Sequence, residues 1–93
     1  MMNNYIKLRV NFEKIVDFKI SGFLYSPRED PSGMMYAVSN GGEICYINEG
    51  APEQIETQSQ LSCICFDDYG GIYLGDMNIP AIYYKTSNIF LFR

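Results

Sequence analysis

Residues 62–76 read Ser62-Cys63-Ile64-Cys65-Phe66-Asp67-Asp68-Tyr69-Gly70-Gly71-Ile72-Tyr73-Leu74-Gly75-Asp76, and this stretch decides the fold. Both ends are rich in the apolar, β-branched and aromatic residues that are typical of strands. Between them lies the turn sequence Asp67-Asp68-Tyr69-Gly70, whose glycine supplies a positive φ that other residues adopt only at a cost. The stretch therefore predicts two antiparallel strands joined by a tight turn.

The same pattern occurs earlier in the chain. Apolar runs flank the turn sequence Asp30-Pro31-Ser32-Gly33, and a second hairpin signal follows at Asn40-Gly41-Gly42. Two more strand-like runs come next, at residues 43–47 and 53–57. Four short antiparallel strands within roughly 40 residues are typical of one unit of a repeat architecture.

Two tyrosines fix how the units are aligned. Tyr73 follows Tyr36 by 37 residues, and Phe66 follows Tyr25 by 41 residues. The alignment predicts a first loop that is longer by four residues, because loops between repeated strands tolerate insertions.

The chain is expected to divide into three parts: an N-terminal strand segment over residues 1–20, a first unit over 21–60 and a second unit over 61–93. Residues 5–20 could place some apolar positions on one helical face. The alternation in residues 14–20 and their β-branched content favour one or two strands instead. The fold class is therefore predicted to be all-β.

Composition excludes several classes of protein. The chain has 7 Lys and Arg against 11 Asp and Glu, a formal charge of −4, and no cluster of cations for a phosphate backbone. We therefore expect no binding to nucleic acid. No apolar run is long enough to cross a bilayer, and residues 1–10 lack the features of a secretory signal. The sequence predicts a cytoplasmic chain without a membrane span, and its 3 cysteines are expected to be thiols.

The repeated motif resembles the blades of six-bladed β-propellers related to NHL repeats and to the gluconolactonase and strictosidine-synthase families. The resemblance lies in Ser21-Gly22-Phe23-Leu24-Tyr25 followed by Gly33-x-Met35-Tyr36, and in Ile64-x-Phe66-Asp67-x-x-Gly70-x-Ile72-Tyr73-Leu74-Gly75-Asp76. It covers about residues 20–85. It implies two four-stranded blades, an incomplete β-propeller, and the apolar ending at residues 86–93 is typical of a truncated gene product or of a last strand.

The resemblance also implies a metal site that these residues do not reproduce. Gluconolactonase-like enzymes hold a divalent cation, such as calcium, with a glutamate in the first blade and an asparagine in a later one. The matching positions here are Ser21 and Ser62, whose hydroxyls are weak substitutes for carboxylate and amide oxygens. No cofactor is therefore expected, except a divalent cation in a full-length enzyme.

No catalytic residue is predicted, since the chain has no histidine to activate a serine or cysteine. A ligand or partner surface could include Asp76 and Asn78, after a strand, together with Tyr73 and Tyr83. The structural alternatives are that Asp76 binds backbone N–H groups in its turn and that the tyrosines pack between sheets.

The favoured function is a non-catalytic binding or scaffold module for a protein or peptide partner, which could also self-associate through its open edges. The alternative is the N-terminal fragment of a gluconolactonase- or strictosidine-synthase-like metal-dependent hydrolase, inactive alone.

Overall fold

The computed structural model describes residues 9–86, which contain seven β-strands and no helix. The all-β prediction is confirmed. The strands are β1 (Leu24–Glu29), β2 (Met35–Ser39), β3 (Glu43–Asn48), β4 (Ala51–Glu56), β5 (Leu61–Phe66), β6 (Gly71–Asp76) and β7 (Ile82–Thr86). None of the described residues belongs to a helix that could cross a membrane.

The strands form two antiparallel sheets in chain order. The first sheet is β1-β2-β3-β4, and the second is β5-β6-β7. They fall within residues 21–60 and 61–93, the intervals expected for the two units. The additional strand predicted within residues 86–93 falls outside the described residues, apart from Thr86, which ends β7.

Tyr36 and Tyr73 occupy equivalent places in the two sheets. Each lies on the second strand of its sheet. Tyr36 pairs with Tyr46 on the third strand, and Tyr73 pairs with Tyr84 on the third strand. The central premise of the repeat is therefore confirmed.

The first loop, residues 30–34, is longer than the second, residues 67–70, by one residue and not by four, so that part of the alignment is wrong. β5 begins and ends 37 residues after β1, which makes Phe66 equivalent to Glu29 and not to Tyr25. Residues 27–29 continue β1 because a bulge between Tyr25 and Arg28, with Ser26 at φ 59°, absorbs the irregularity. Pro27 is tolerated there because β1 is an edge strand.

The N-terminal segment is not a strand where the structure describes it. Residues 9–23 form neither strand nor helix, so the expected leading strands are absent from this part. Val16 and Phe18 are half-buried, and together with Ile15 they line a cleft on the first sheet. Alternating apolar residues here reflect one-sided packing against a sheet, without the strand pairing that such alternation usually accompanies.

The core lies between the two sheets. Tyr36, Val38, Ile44 and Tyr46 point to one side of the first sheet, which we call its covered face, and all are buried. Five residues of the second sheet pack toward this covered face, and we call the side on which they lie the inward face of the second sheet. They are Leu61, Ile64, Phe66, Ile72 and Leu74. The rings of Tyr36 and Phe66 meet across the interface with centroids 4.8 Å apart. The two sheets therefore stack face to face, as in layered β architectures.

Candidate binding surface

Asp67 holds the turn between β5 and β6. Its Oδ1 accepts hydrogen bonds from the backbone N–H groups of Tyr69 (2.9 Å) and Gly71 (2.6 Å), and its Oδ2 accepts one from the Tyr73 hydroxyl (3.0 Å). These bonds, the one from Gly71 first, lower the pKa of Asp67, and the bond to Asp67 raises the pKa of Tyr73. Tyr73 is therefore tied to a structural turn.

The equivalent turn in the first sheet is built in the same way. Oδ1 of Asp30 accepts the N–H groups of Ser32 and Met34, both at 2.9 Å. Gly33 has φ +90° and Gly70, its equivalent, has φ +84°. Both turns therefore begin with an aspartate whose side chain accepts backbone N–H groups of the turn, and both have glycine with a positive φ at the fourth position. This arrangement is shared by the two units of the repeat.

Asp76, Asn78 and Tyr83 come together at the turn between β6 and β7. Oδ1 of Asp76 accepts the N–H groups of Asn78 (2.7 Å) and Ile79 (3.0 Å), and Oδ2 accepts the Tyr83 hydroxyl (2.7 Å). These bonds, the one from Tyr83 first, lower the pKa of Asp76. Both carboxylate oxygens already accept hydrogen bonds, which matches the structural alternative for Asp76.

Asn78 connects this turn to the preceding linker. Its side-chain N–H donates to Oε1 of Gln60 at 2.6 Å, and the backbone N–H of Met77 donates to the carbonyl of Gln60 at 2.8 Å. Three of the four candidate surface residues thus share one turn network. Tyr73 belongs to the Asp67 network instead.

A buried carboxylate that the sequence interpretation missed lies at the turn between β2 and β3. Glu43 is buried, and its two oxygens accept the hydroxyls of Ser39 and Ser21, the latter at 3.2 Å. The Ser39 hydroxyl is the chief cause of a lowered pKa for Glu43, and Ser39 Oγ also accepts the N–H of Gly41 at 3.0 Å. A glutamate directly after a glycine turn, at the start of an apolar strand, was the available signal.

The two serines at the resemblance's metal positions have different surroundings. Ser21 donates to Glu43, and the Ser62 hydroxyl lies 3.9 Å from the sulfur of Cys63. Among residues 9–86, no group of three or more His, Cys, Asp or Glu side chains is placed to hold a metal ion.

The second sheet has a largely exposed apolar side, which we call its outer face. Cross-strand partners share a side of a sheet, and pairing assigns six residues to this one. They are Cys63, Cys65, Tyr73, Gly75, Ile82 and Tyr84. Ile82 is 78% exposed and Tyr84 is 58% exposed. Single exposed apolar residues are ordinary, but a contiguous group is typical of an interaction surface.

Each sheet also borders an apolar cleft. One cleft, of 280 Å³, lies beside the inward face of the second sheet, where Ile44, Leu61, Ile72, Leu74 and Tyr83 are among its lining residues. The other, of 200 Å³, lies between residues 15–18 and the side of the first sheet that we call its rear face, with Leu24, Pro27, Met35, Ala37 and Ile47 among its lining residues. Leu24, Met35 and Ala37 lie 37 residues before Leu61, Ile72 and Leu74, so the clefts occupy corresponding places in the repeat.

The outer face and the two clefts are the apolar features through which the described part of the chain could bind a partner. The carboxylates of Asp67, Asp76 and Glu43 are engaged in turns, as shown above. Comparisons with known protein families, with curated proteins and with solved structures gave no match.

Proposed function

We propose that this chain is a partial β-propeller module that binds a protein partner and has no catalytic activity of its own. The propeller interpretation is supported by the two stacked antiparallel sheets, their consecutive strand order and their 37-residue repeat. The resemblance of the repeated motif to propeller blades supports it as well.

The exposed outer face carries the binding proposal. An apolar, aromatic surface of this kind gains free energy when a protein partner removes it from water. With a formal charge of −4 and no basic patch in the sequence, nucleic acid and anionic membranes are poor partners. The three free cysteines suit a reducing compartment, and we place the chain in the cytosol.

Binding is tested by the full chain immobilised beside two matched variants. Ile82→Glu places a charge on the outer face, and Ile79→Glu places the same charge in the β6–β7 turn, where Ile79 is 55% exposed. A partner of the outer face is retained by the wild type and by Ile79→Glu and is lost from Ile82→Glu. Equal retention by all three proteins would show that the outer face does not bind.

Catalysis is tested separately with lactone and ester substrates, with added calcium and with a chelator. We expect no turnover above the uncatalysed rate. Hydrolysis that the chelator abolishes would overturn the non-catalytic proposal and support the hydrolase-fragment alternative.

A further inference from the structure

The outer face of the second sheet is the repeat counterpart of a face that is buried elsewhere in the same chain. Strand pairing makes Tyr73, Gly75, Ile82 and Tyr84 the equivalents of Tyr36, Val38, Ile44 and Tyr46, the covered face of the first sheet. Those four residues are at most 5% exposed because the second sheet lies on them. The outer face therefore has the position, and much of the composition, of a surface that a further sheet covers.

The chain also shows what kind of surface provides that cover. The covered face of the first sheet is covered by the inward face of the second sheet, which contains Leu61, Ile72 and Leu74. The residues 37 positions earlier form part of the rear face of the first sheet, and they too are apolar. Each chain thus carries one exposed surface of the covered type and one surface of the covering type.

The rear face is occupied by residues 15–18, which form no strand. Ile15 is 72% exposed, and the nearby ion pair between Lys14 and Asp17, 3.1 Å long, is a local contact between exposed side chains. Exposed ion pairs of this kind contribute little to stability. Among residues 9–86, no backbone hydrogen bond of a turn or loop involves residues 9–20. A sheet packed on the rear face would displace the half-buried side chains of Val16 and Phe18 without breaking a backbone hydrogen bond of these turns and loops.

We propose that a second copy of this chain is the partner: its rear face docks on the outer face of the first copy and displaces residues 15–18. The proposal rests on the proposed binding function and names its partner. The two surfaces in this contact are different, so the contact is head-to-tail and extends the sheet stacking of one chain into the next.

The first test is sedimentation of the full chain over a range of concentrations. We expect association in the wild type, an unchanged dissociation constant in Ile79→Glu, and one raised by about 10-fold or more in Ile82→Glu. Phe18→Ser weakens the cover of the rear face and is expected to shift association to lower concentration. A wild type and a Phe18→Ser variant that both remain monomeric would overturn the proposal, as would equal effects of the two glutamate variants.

The head-to-tail geometry is tested by mixing. Labelled Ile82→Glu retains an intact rear face, so it should co-sediment with unlabelled wild type. A symmetric contact between two outer faces would exclude this variant from the complex. Failure of labelled Ile82→Glu to join wild-type complexes would therefore overturn the head-to-tail contact.

A chemical readout locates the contact. Cys63 and Cys65 lie on the outer face and are exposed, so a thiol-alkylating reagent should modify them more slowly as the wild-type concentration rises. The rate in Ile82→Glu should stay constant. A concentration-independent rate in an associating wild type would place the contact elsewhere. A monomeric chain that still binds another protein in an Ile82-dependent way would remove this proposal and leave the proposed function standing.

Discussion

Both sheets have consecutive strand order and the same chemistry in their first turn, yet among residues 9–86 one sheet is covered on both sides and the other on one side. Ile44 and Ile82 occupy equivalent positions, and their exposed fractions are 1% and 78%. The residue type is the same, so the sequence of the strand does not determine the difference. The position of the sheet in the stack determines the exposed fraction. Within the described residues, the first sheet has packing neighbours on both of its faces and the second sheet has one on a single face.

The largest expected effect comes from truncating these two isoleucines. Ile44→Ala leaves a cavity between the sheets and should lower the free energy of unfolding by about 2–5 kcal/mol. Ile82→Ala removes exposed atoms and should change it by no more than about 0.5 kcal/mol. Urea denaturation of both variants at a concentration where the chain is monomeric measures the contrast. Equal losses would mean that the second sheet is covered in solution even in the monomer.

The next contrast is between the β2–β3 turn, at which Glu43 lies, and the β6–β7 turn, at which Asp76 lies. Glu43 is buried, and removing its charge in Glu43→Gln weakens two hydroxyl hydrogen bonds, at an expected cost of about 1–3 kcal/mol. Asp76 is more exposed to solvent, so Asp76→Asn should cost less.

The pH dependence of unfolding tests the lowered pKa of Glu43. The folded-state pKa of Glu43 is below its ordinary value of 4.5, so its stabilising effect is complete above that value. The effect is lost as the pH falls through the folded-state pKa. The free energy of unfolding should therefore decrease as the pH falls below about 4.5, and less steeply in Glu43→Gln than in the wild type. Parallel curves for the two proteins would contradict the lowered pKa.

The third test concerns a feature that the sheets share. Gly33 and Gly70 have φ of +90° and +84°, and alanine at either position is expected to cost about 1–2 kcal/mol. Thermal unfolding of Gly33→Ala and Gly70→Ala should give matching losses. A clear difference between them would break the equivalence of the two turns.

The last test involves no change in stability. It compares how fast the buried and the exposed thiols react. Cys45 is buried, and burial followed by the charge of Glu43 raises its pKa to about 11. In dilute native protein a thiol reagent should modify Cys63 and Cys65 rapidly and Cys45 only on unfolding. Rapid modification of all three would show that the first sheet opens readily.

The strands and turns could be predicted from the sequence because their signals are local. Asp67 and Gly70 lie within one turn, and their residue types alone favour the observed geometry. The repeat was also visible, through Tyr36 and Tyr73. Its register was wrong by four residues at Tyr25, because a bulge inside a strand resembles a loop when only the residue types are known.

Features that depend on distant residues could not be predicted. Glu43 accepts a hydrogen bond from Ser21, which lies 22 residues away, and the types of neighbouring residues do not indicate such a contact. The apolar alternation of residues 14–20 indicates a side that packs, but packing on an existing sheet and pairing within one give the same pattern. Among the candidate surface residues, Asp76, Asn78 and Tyr83 share a turn, while Ile82 was missed because its exposure depends on the stacking of whole sheets.

Stacking by a 37-residue repeat has a consequence for synthesis of the chain. Among residues 9–86, the four strands of the first sheet pair only with sequence neighbours, so this sheet can form while later residues are still being translated. Until β5 and β6 emerge from the ribosome, Tyr36, Val38, Ile44 and Tyr46 lack their cover. A nascent chain that ends near residue 60 therefore displays the kind of bare apolar surface that holdase chaperones bind.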